Sequence, residues 1–225
     1  MSADPQVLSD IVRVARKLRR RGLAIGTSGN VGARLSDGRI AITPSTMDYD
    51  AMTPDDIVIV MPDGAASEGR HRPSSEVRIH LEILAVRPEV QAIVHTHSPF
   101  ATAWAATRRP LPAVHYVMAT LVAPGRDSIR CAPYATFGTE ELARHAAATL
   151  ADDNAVLLAN HGAVAAGTSL AGALLRAERI EELAMLAVRA DQVGGRVLLS
   201  AGDLDAARDQ MANFPLQRPI ERGTA

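Results

Sequence analysis

Apolar residues along the chain fall into alternating helical and strand patterns. Asp4-Pro5 offers a capping side chain and a first-turn proline, and Val7, Leu8, Ile11, Val12, Val14, Ala15 and Leu18 then recur at helical spacing up to Gly22. Residues 30–35 and 39–43 flank Asp37-Gly38, a dipeptide suited to a tight turn, and so predict a β-hairpin. Residues 57–61 predict another strand, closed by Pro62-Asp63-Gly64, and residues 75–86 a helix that stops before Pro88. The apolar, β-branched run Val90-Gln91-Ala92-Ile93-Val94 reads as a buried strand, followed by helical turns over residues 99–106. Thr139 caps a predicted helix from Glu140 to about Leu150, and residues 155–159 form a further buried strand. Ser169 opens a long amphipathic helix ending near Gly194-Gly195, and a short helix follows over residues 203–213. Helices interleave with strands, yet at least one pairing is a hairpin. The pattern therefore predicts an α/β fold with helices on both sides of a mixed sheet.

The length of 225 residues, 47% of them hydrophobic, suits one domain with a large core. That domain is expected to span residues 1–225, with its core over about 5–195 and a C-terminal helix and tail over 196–225. A formal net charge of −1 and only 3% aromatic residues argue against nucleic acid as a partner. Arg13, Arg16, Lys17, Arg19, Arg20 and Arg21 form a basic cluster on the first helix, read as a solvated face, with an anionic partner as the alternative. The single Cys131 excludes an internal disulfide and reads as a small buried apolar residue. There is no apolar stretch long enough to span a bilayer and no signal-like N-terminus, so a cytoplasmic protein without membrane partners is expected.

Histidine placement changes the picture most. His95-Thr96-His97 follows one buried strand, and His161 stands 64 residues beyond His97 at the end of another, in Asn160-His161-Gly162. Side chains at i and i+2 of a strand point to one face, so the first pair can hold one cation between two imidazoles. Three imidazole nitrogens leave a coordination position open, the pattern of a catalytic zinc, although manganese and cobalt accept the same ligands. A pair of hydrogen-bonded core histidines is the other reading of these residues.

Three corners are rich in hydroxyls. Gly26-Thr27-Ser28-Gly29-Asn30 is a tight polar loop entering a strand, read either as an ordinary turn or as a cradle for an anion. Thr43-Pro44-Ser45-Thr46 follows the hairpin, and Pro73-Ser74-Ser75-Glu76 opens a helix, where free N–H groups favour a phosphate. Glu76 falls in the first turn of that helix, either as a surface residue or as a general base beside a metal. His80, one turn further on, reads as structural or as support for the site. His71, His115 and His145 have no partner at ligand spacing. Tyr116, one of only three tyrosines, is a core residue or an acid.

Together these segments resemble the class II aldolase/adducin family, in particular its L-fuculose-1-phosphate aldolase branch. The matching stretches are GTSGNVGAR from Gly26, ITPS from Ile42, PSSEVRIH from Pro73, VHTH from Val94, PAVHY from Pro112, CAPYATFGT from Cys131 and NHG from Asn160. They occur in order across residues 5–195, and the combination is far more specific than a lone HxH.

The resemblance implies a three-layer α/β/α sandwich with a mixed, largely antiparallel central sheet, assembled as a homotetramer with active sites between subunits. It implies zinc on His95, His97 and His161, and Glu76 as the acid/base that removes a proton from dihydroxyacetone phosphate. Tyr116 of a neighbouring subunit would protonate the aldehyde oxygen. The substrate phosphate would lie against Asn30, Ser45, Thr46, Ser74 and Ser75, with Thr27 and Ser28 close by. The implied reaction is reversible cleavage of a ketose 1-phosphate, L-fuculose 1-phosphate or a related deoxy sugar. A pentulose-5-phosphate 4-epimerase, a sugar-acid-phosphate decarboxylase and a metal-free binding module are the alternatives on the same scaffold. The epimerases typically carry Asp where this chain has Glu76. Three positions depart from the family pattern: Thr46 stands at a usual Gly, Gly32 at a common Ser, and Phe214 where the aldolases can contribute a Tyr.

Overall fold

A computed structural model describes residues 4–214 of the chain. Its helices are α1 (Pro5–Arg20), α2 (Val77–Val86), α3 (Pro99–Ala105), α4 (Glu140–Leu150), α5 (Leu170–Gln192) and α6 (Ala201–Asn213). Its strands are β1 (Asn30–Arg34), β2 (Ile40–Ile42), β3 (Val58–Val60), β4 (Ala66–Glu68), β5 (Ala92–Thr96), β6 (Leu111–Pro112), β7 (Ser128–Ile129), β8 (Cys131–Ala132), β9 (Ala155–Leu158) and β10 (Gly162–Gly167). Eight of these strands form one sheet in the order β4-β3-β2-β1-β5-β10-β9-β8, while β6 and β7 pair separately. Every pairing in the large sheet is antiparallel except β8 with β9, so the sheet is mixed and largely antiparallel as expected. No helix among the described residues is long and apolar enough to cross a membrane.

The sheet sorts its side chains by the two-residue period of a strand. Val31, Ala33, Ala92, Val94, Leu157 and Ala165 face one core with α1, α3 and α5. Ile40, Ile42, Ile93, Val156, Leu158 and Val164 face a second core with α2 and α4. Covering both faces makes the strands almost wholly buried, which is why they read as continuous apolar runs. The result is three layers, helices over sheet over helices.

The structure corrects several sequence expectations. α2 begins at Val77 with Glu76 as its N-cap, so Glu76 lies just before the helix rather than within its first turn. Pro62-Asp63-Gly64 closes β3 as expected, but the turn there, with Gly64 at φ 90°, leads into a further strand, β4, that the pattern did not predict. Cys131 is half-buried on an edge strand rather than fully inside. The strand β10, with sequence GAVAAG, has no counterpart in the hydrophobic pattern, because glycine and alanine carry little strand preference.

One tie sets the position of α3 beside the histidines. Its N-cap Ser98 makes no side-chain capping bond, and the free N–H groups of Phe100 and Ala101 donate instead to the two carboxylate oxygens of Glu181 on α5, at 2.9 and 2.8 Å. A carboxylate at a helix N-terminus satisfies orphan donors and suits the helix dipole. Glu181→Ala should therefore lower the unfolding free energy by roughly 1–3 kcal/mol, with Glu181→Gln intermediate, read from urea midpoints. Equal midpoints for wild type and Glu181→Ala would remove this tie from the account.

Candidate metal and phosphate site

β5 is paired along both edges, with β1 and with β10, and the registers set Asn30 and Val164 on either side of His95. By strand parity His95 shares the face of Ile93, the face covered by α2. His97 stands just past the strand end on the same parity, and His161 precedes β10 directly. The three imidazole rings meet edge to face with centroids 4.7–4.9 Å apart.

Two glycines allow this convergence. A Cβ at Gly29 would lie 2.7 Å from the His95 carbonyl oxygen, and one at Gly162 would lie 2.2 Å from that of Thr96. Neither position has room for a side chain. Gly29 also sits at φ 76° and its carbonyl accepts a 2.6 Å bond from the buried Tyr49 hydroxyl. On the other arm, Asn160 adopts φ 54°, a conformation asparagine tolerates better than most residues, and accepts from Arg108 Nε at 2.7 Å. That turn aims His161 back at His95 and His97.

Glu76 completes the cluster. Its Oε2 lies 3.1 Å from His95 Nε2 and its Oε1 3.0 Å from His161 Nε2. The ligand atoms of Glu76, His95, His97 and His161 all fall within 4.8 Å of one another. His95 Nδ1 is 2.9 Å from the Ala163 carbonyl oxygen, an acceptor, so Nδ1 carries the hydrogen and Nε2 presents its lone pair to the cluster. Three imidazoles and a carboxylate, with a ring held in the ligating tautomer by the backbone, fit a divalent cation with nitrogen and oxygen preferences.

The electrostatics follow from burial and crowding. Burial pushes the Glu76 carboxyl up, but the His95 and His161 imidazoles beside it outweigh that and hold it well below the ordinary carboxylate range. Burial opposes charge on His95, yet Glu76 raises its basicity overall. Burial and the neighbouring His95 and His161 bring His97 down to about 4. Glu76 is therefore ionised at neutral pH and His97 neutral, the forms required of a base and of a ligand.

A cleft of about 160 Å³ opens beside the cluster, lined by Thr27, Ser28, Ser45, Thr46, Ser74, Ser75, Asn30, Glu76, His97 and His161, with Gly29, Pro44 and Phe137. The Ser45 and Ser74 corners meet because Pro44 and Pro73 bridge, with Ser45 N–H donating to the Arg72 carbonyl and Ser74 N–H to the Thr43 carbonyl. Thr43 does not join the cleft. Its hydroxyl turns inward and accepts from the Val31 N–H. Thr46 sits at φ 56°, where glycine is unstrained, so the family's usual Gly has a backbone reason and Thr here costs about 1 kcal/mol. Gly32 faces His80, and a Cβ there would lie 2.6 Å from the His80 ring nitrogen Nδ1.

Tyr116 is not part of this cleft. It begins a 3₁₀ turn, is half-exposed, and borders a separate depression with Thr168, Leu175, Arg176 and Met211. Phe214, exposed at the end of α6, is also absent from the lining. His71 pairs with Asp56, His115 accepts from Val117 N–H, and His145 lies against the Pro133 carbonyl, so none of them ligates. Tyr49 and Phe137 are contributors that pattern reading missed, since a buried tyrosine and a loop phenylalanine carry no spacing signal.

Comparison with known proteins agrees with this geometry. Residues 9–188 match the family model of the class II aldolase and adducin N-terminal domain. The chain is 42% identical over 204 residues to a 5-methylthioribulose-1-phosphate/5-deoxyribulose-1-phosphate aldolase of Rhodospirillum rubrum, covering 91% of this chain and 90% of that one. It is 43% identical over 176 residues to an L-fuculose phosphate aldolase of Escherichia coli O6:H1, covering 78% and 80% respectively. A solved L-fuculose 1-phosphate aldolase superposes with a TM-score of 0.88 at 34% identity, covering 93% of this chain and 98% of that one. The chain belongs to the class II aldolase/adducin family.

Proposed function

We propose that the chain is a zinc-dependent aldolase that reversibly cleaves a ketose 1-phosphate to dihydroxyacetone phosphate and a small aldehyde. The preferred substrates are 5-deoxy- or 5-methylthio-pentulose 1-phosphates, the kind named for the R. rubrum relative, with L-fuculose 1-phosphate next. The observation that carries this reading is the position of Glu76. One carboxylate touches two of three clustered imidazoles while bordering a hydroxyl-lined cleft at a helix N-terminus.

His95, His97 and His161 would hold the cation. When bound, it supplies Lewis-acid stabilisation of the negative charge that develops on the two substrate oxygens next to the breaking carbon–carbon bond. Glu76, ionised at neutral pH, takes the proton from the carbon of dihydroxyacetone phosphate in the condensation direction and returns it during cleavage. Ser45, Thr46, Ser74 and Ser75, with Thr27, Ser28 and Asn30 nearby, receive the phosphate, assisted by the positive end of the α2 dipole. Binding energy from the phosphate fixes the reacting carbons against Glu76. Tyr116 serves the site of a neighbouring subunit in a homotetramer, donating its proton to the aldehyde oxygen. Its exposure outside its own chain's cleft is consistent with a role across an interface.

Release of dihydroxyacetone phosphate from a panel of ketose 1-phosphates, with chelation and zinc add-back, tests the reaction directly. Chelator-sensitive, zinc-restored release is expected, fastest with the 5-deoxy and 5-methylthio pentulose phosphates. If no ketose 1-phosphate yields the product, the aldolase assignment is wrong.

Glu76→Gln should lose at least about 100-fold in kcat while retaining stoichiometric metal by elemental analysis, in line with the usual contribution of a general base. His97→Ala should instead lose metal and turnover together. Near-normal turnover in Glu76→Gln would take the proton-transfer role away from this carboxylate.

A further inference from the structure

His80 is a buried imidazole that the reaction above does not use. It lies on α2, one turn after Glu76, with no exposed surface. Its Nε2 is 2.5 Å from Asn30 Oδ1, and the Asn30 amide nitrogen donates to Glu76 Oε2 at 3.1 Å. Three side chains from two elements thus form one hydrogen-bonded line ending on the carboxylate.

The proton positions along this line are fixed by elimination. The Asn30 side-chain nitrogen donates to a carboxylate oxygen that accepts, so the amide carbonyl oxygen is the atom turned to His80. That oxygen only accepts as well, so His80 must carry its hydrogen on Nε2. A neutral imidazole then has its lone pair on Nδ1, which faces Gly32 and has no hydrogen-bond partner. Burial, with His95 nearby, brings His80 down to about 3, so the ring stays neutral in the working range. Gly32 leaves just enough space for the ring, since a Cβ there would press on Nδ1 at 2.6 Å. Packing and the single Nε2 bond therefore hold the imidazole.

We propose that His80 is a positioning residue for Glu76, acting through the side-chain amide of Asn30. The inference rests on the acid/base role proposed for Glu76. With Nε2–H in place, the Asn30 amide cannot flip, and the carboxylate keeps one oxygen anchored while the other stays close to His161. Without it, the amide is free to rotate and Glu76 loses a fixed donor at the point where proton transfer needs alignment. The Asn30 NH2 carries a second hydrogen, so this role and a phosphate contact are compatible.

The test compares His80→Gln and His80→Leu in the full-length, zinc-loaded protein. The glutamine amide nitrogen can take the place of Nε2 and donate to Asn30, whereas leucine fills the space without a donor. His80→Leu should lose about 10–100-fold in kcat, the usual cost of removing a supporting hydrogen bond at such a site, with KM and bound zinc close to wild type. His80→Gln should recover to within about 3-fold of wild type. Equal losses in the two variants, or a loss in His80→Leu confined to KM or zinc content, would overturn the proposal.

A second measurement needs no turnover and no variant. Long-range 1H–15N spectra of the histidine-labelled wild-type protein report the His80 tautomer. The Nε2–H form is expected, and the Nδ1–H form would refute the relay. If wild type releases no dihydroxyacetone phosphate, the aldolase reading fails on its own while the tautomer still decides whether the relay exists.

Discussion

The pairing of β5 along both of its edges is the constraint on which the site depends. A central antiparallel strand cannot slip without moving every side chain to the opposite face, so its register is set by two neighbours at once. That double lock fixes His95 opposite Asn30 on one side and beside the chain segment carrying His161 on the other. The hydroxyl corners, the N-terminus of α2 and the turn at Asn160 are all arranged around this one strand end.

The site concentrates polar groups where the fold would otherwise be apolar. Asn30, Glu76, His80 and His95 are all buried, as are the isoleucines Ile42, Ile79 and Ile93 on the same strands and helix as several of them or next to them in the sheet. Burying a carboxylate without partners would cost several kcal/mol. Here both oxygens of Glu76 have polar neighbours: Oε2 lies against His95 and the Asn30 amide, Oε1 lies 3.0 Å from His161 Nε2, and the amide is itself held by His80. The arrangement stabilises the ionised carboxylate and limits how far it can turn, which suits the acid/base role proposed for it.

Much of this was legible in the chain. The HxH pair and the distant His161 were visible because strand periodicity and residue type coincide there, and Glu76 stood out through its place at a helix start. The hairpin at Asp37-Gly38, the caps at Asp4, Thr139 and Ser169, and the layered α/β class followed from local chemistry. What stayed hidden has physical reasons. β10 is built mostly from glycine and alanine, so its identity as the central partner of β5 comes from close packing against α5 and not from propensity. The inward turn of the Thr43 hydroxyl depends on the β1–β2 pairing, and the Glu181 tie to α3 joins residues some 80 positions apart. No local pattern encodes either. The three-residue line from His80 to Glu76 was half visible as an i+4 spacing. Asn30, the link that gives it meaning, comes from a different element.

The close approaches at Gly29 and Gly162 bear on how such a site can diverge. Neither position can accept any other residue without separating the strands that hold the histidines, so the metal-facing half of the cleft has almost no mutational freedom. The opposite wall is built from exposed or half-exposed loop residues, Thr27, Ser75, Thr46 and Phe137, whose side chains can be exchanged without disturbing the sheet. Evolution acting on this scaffold is thereby channelled: the histidine-bearing half is inherited nearly intact, and substitutions accumulate on the rim.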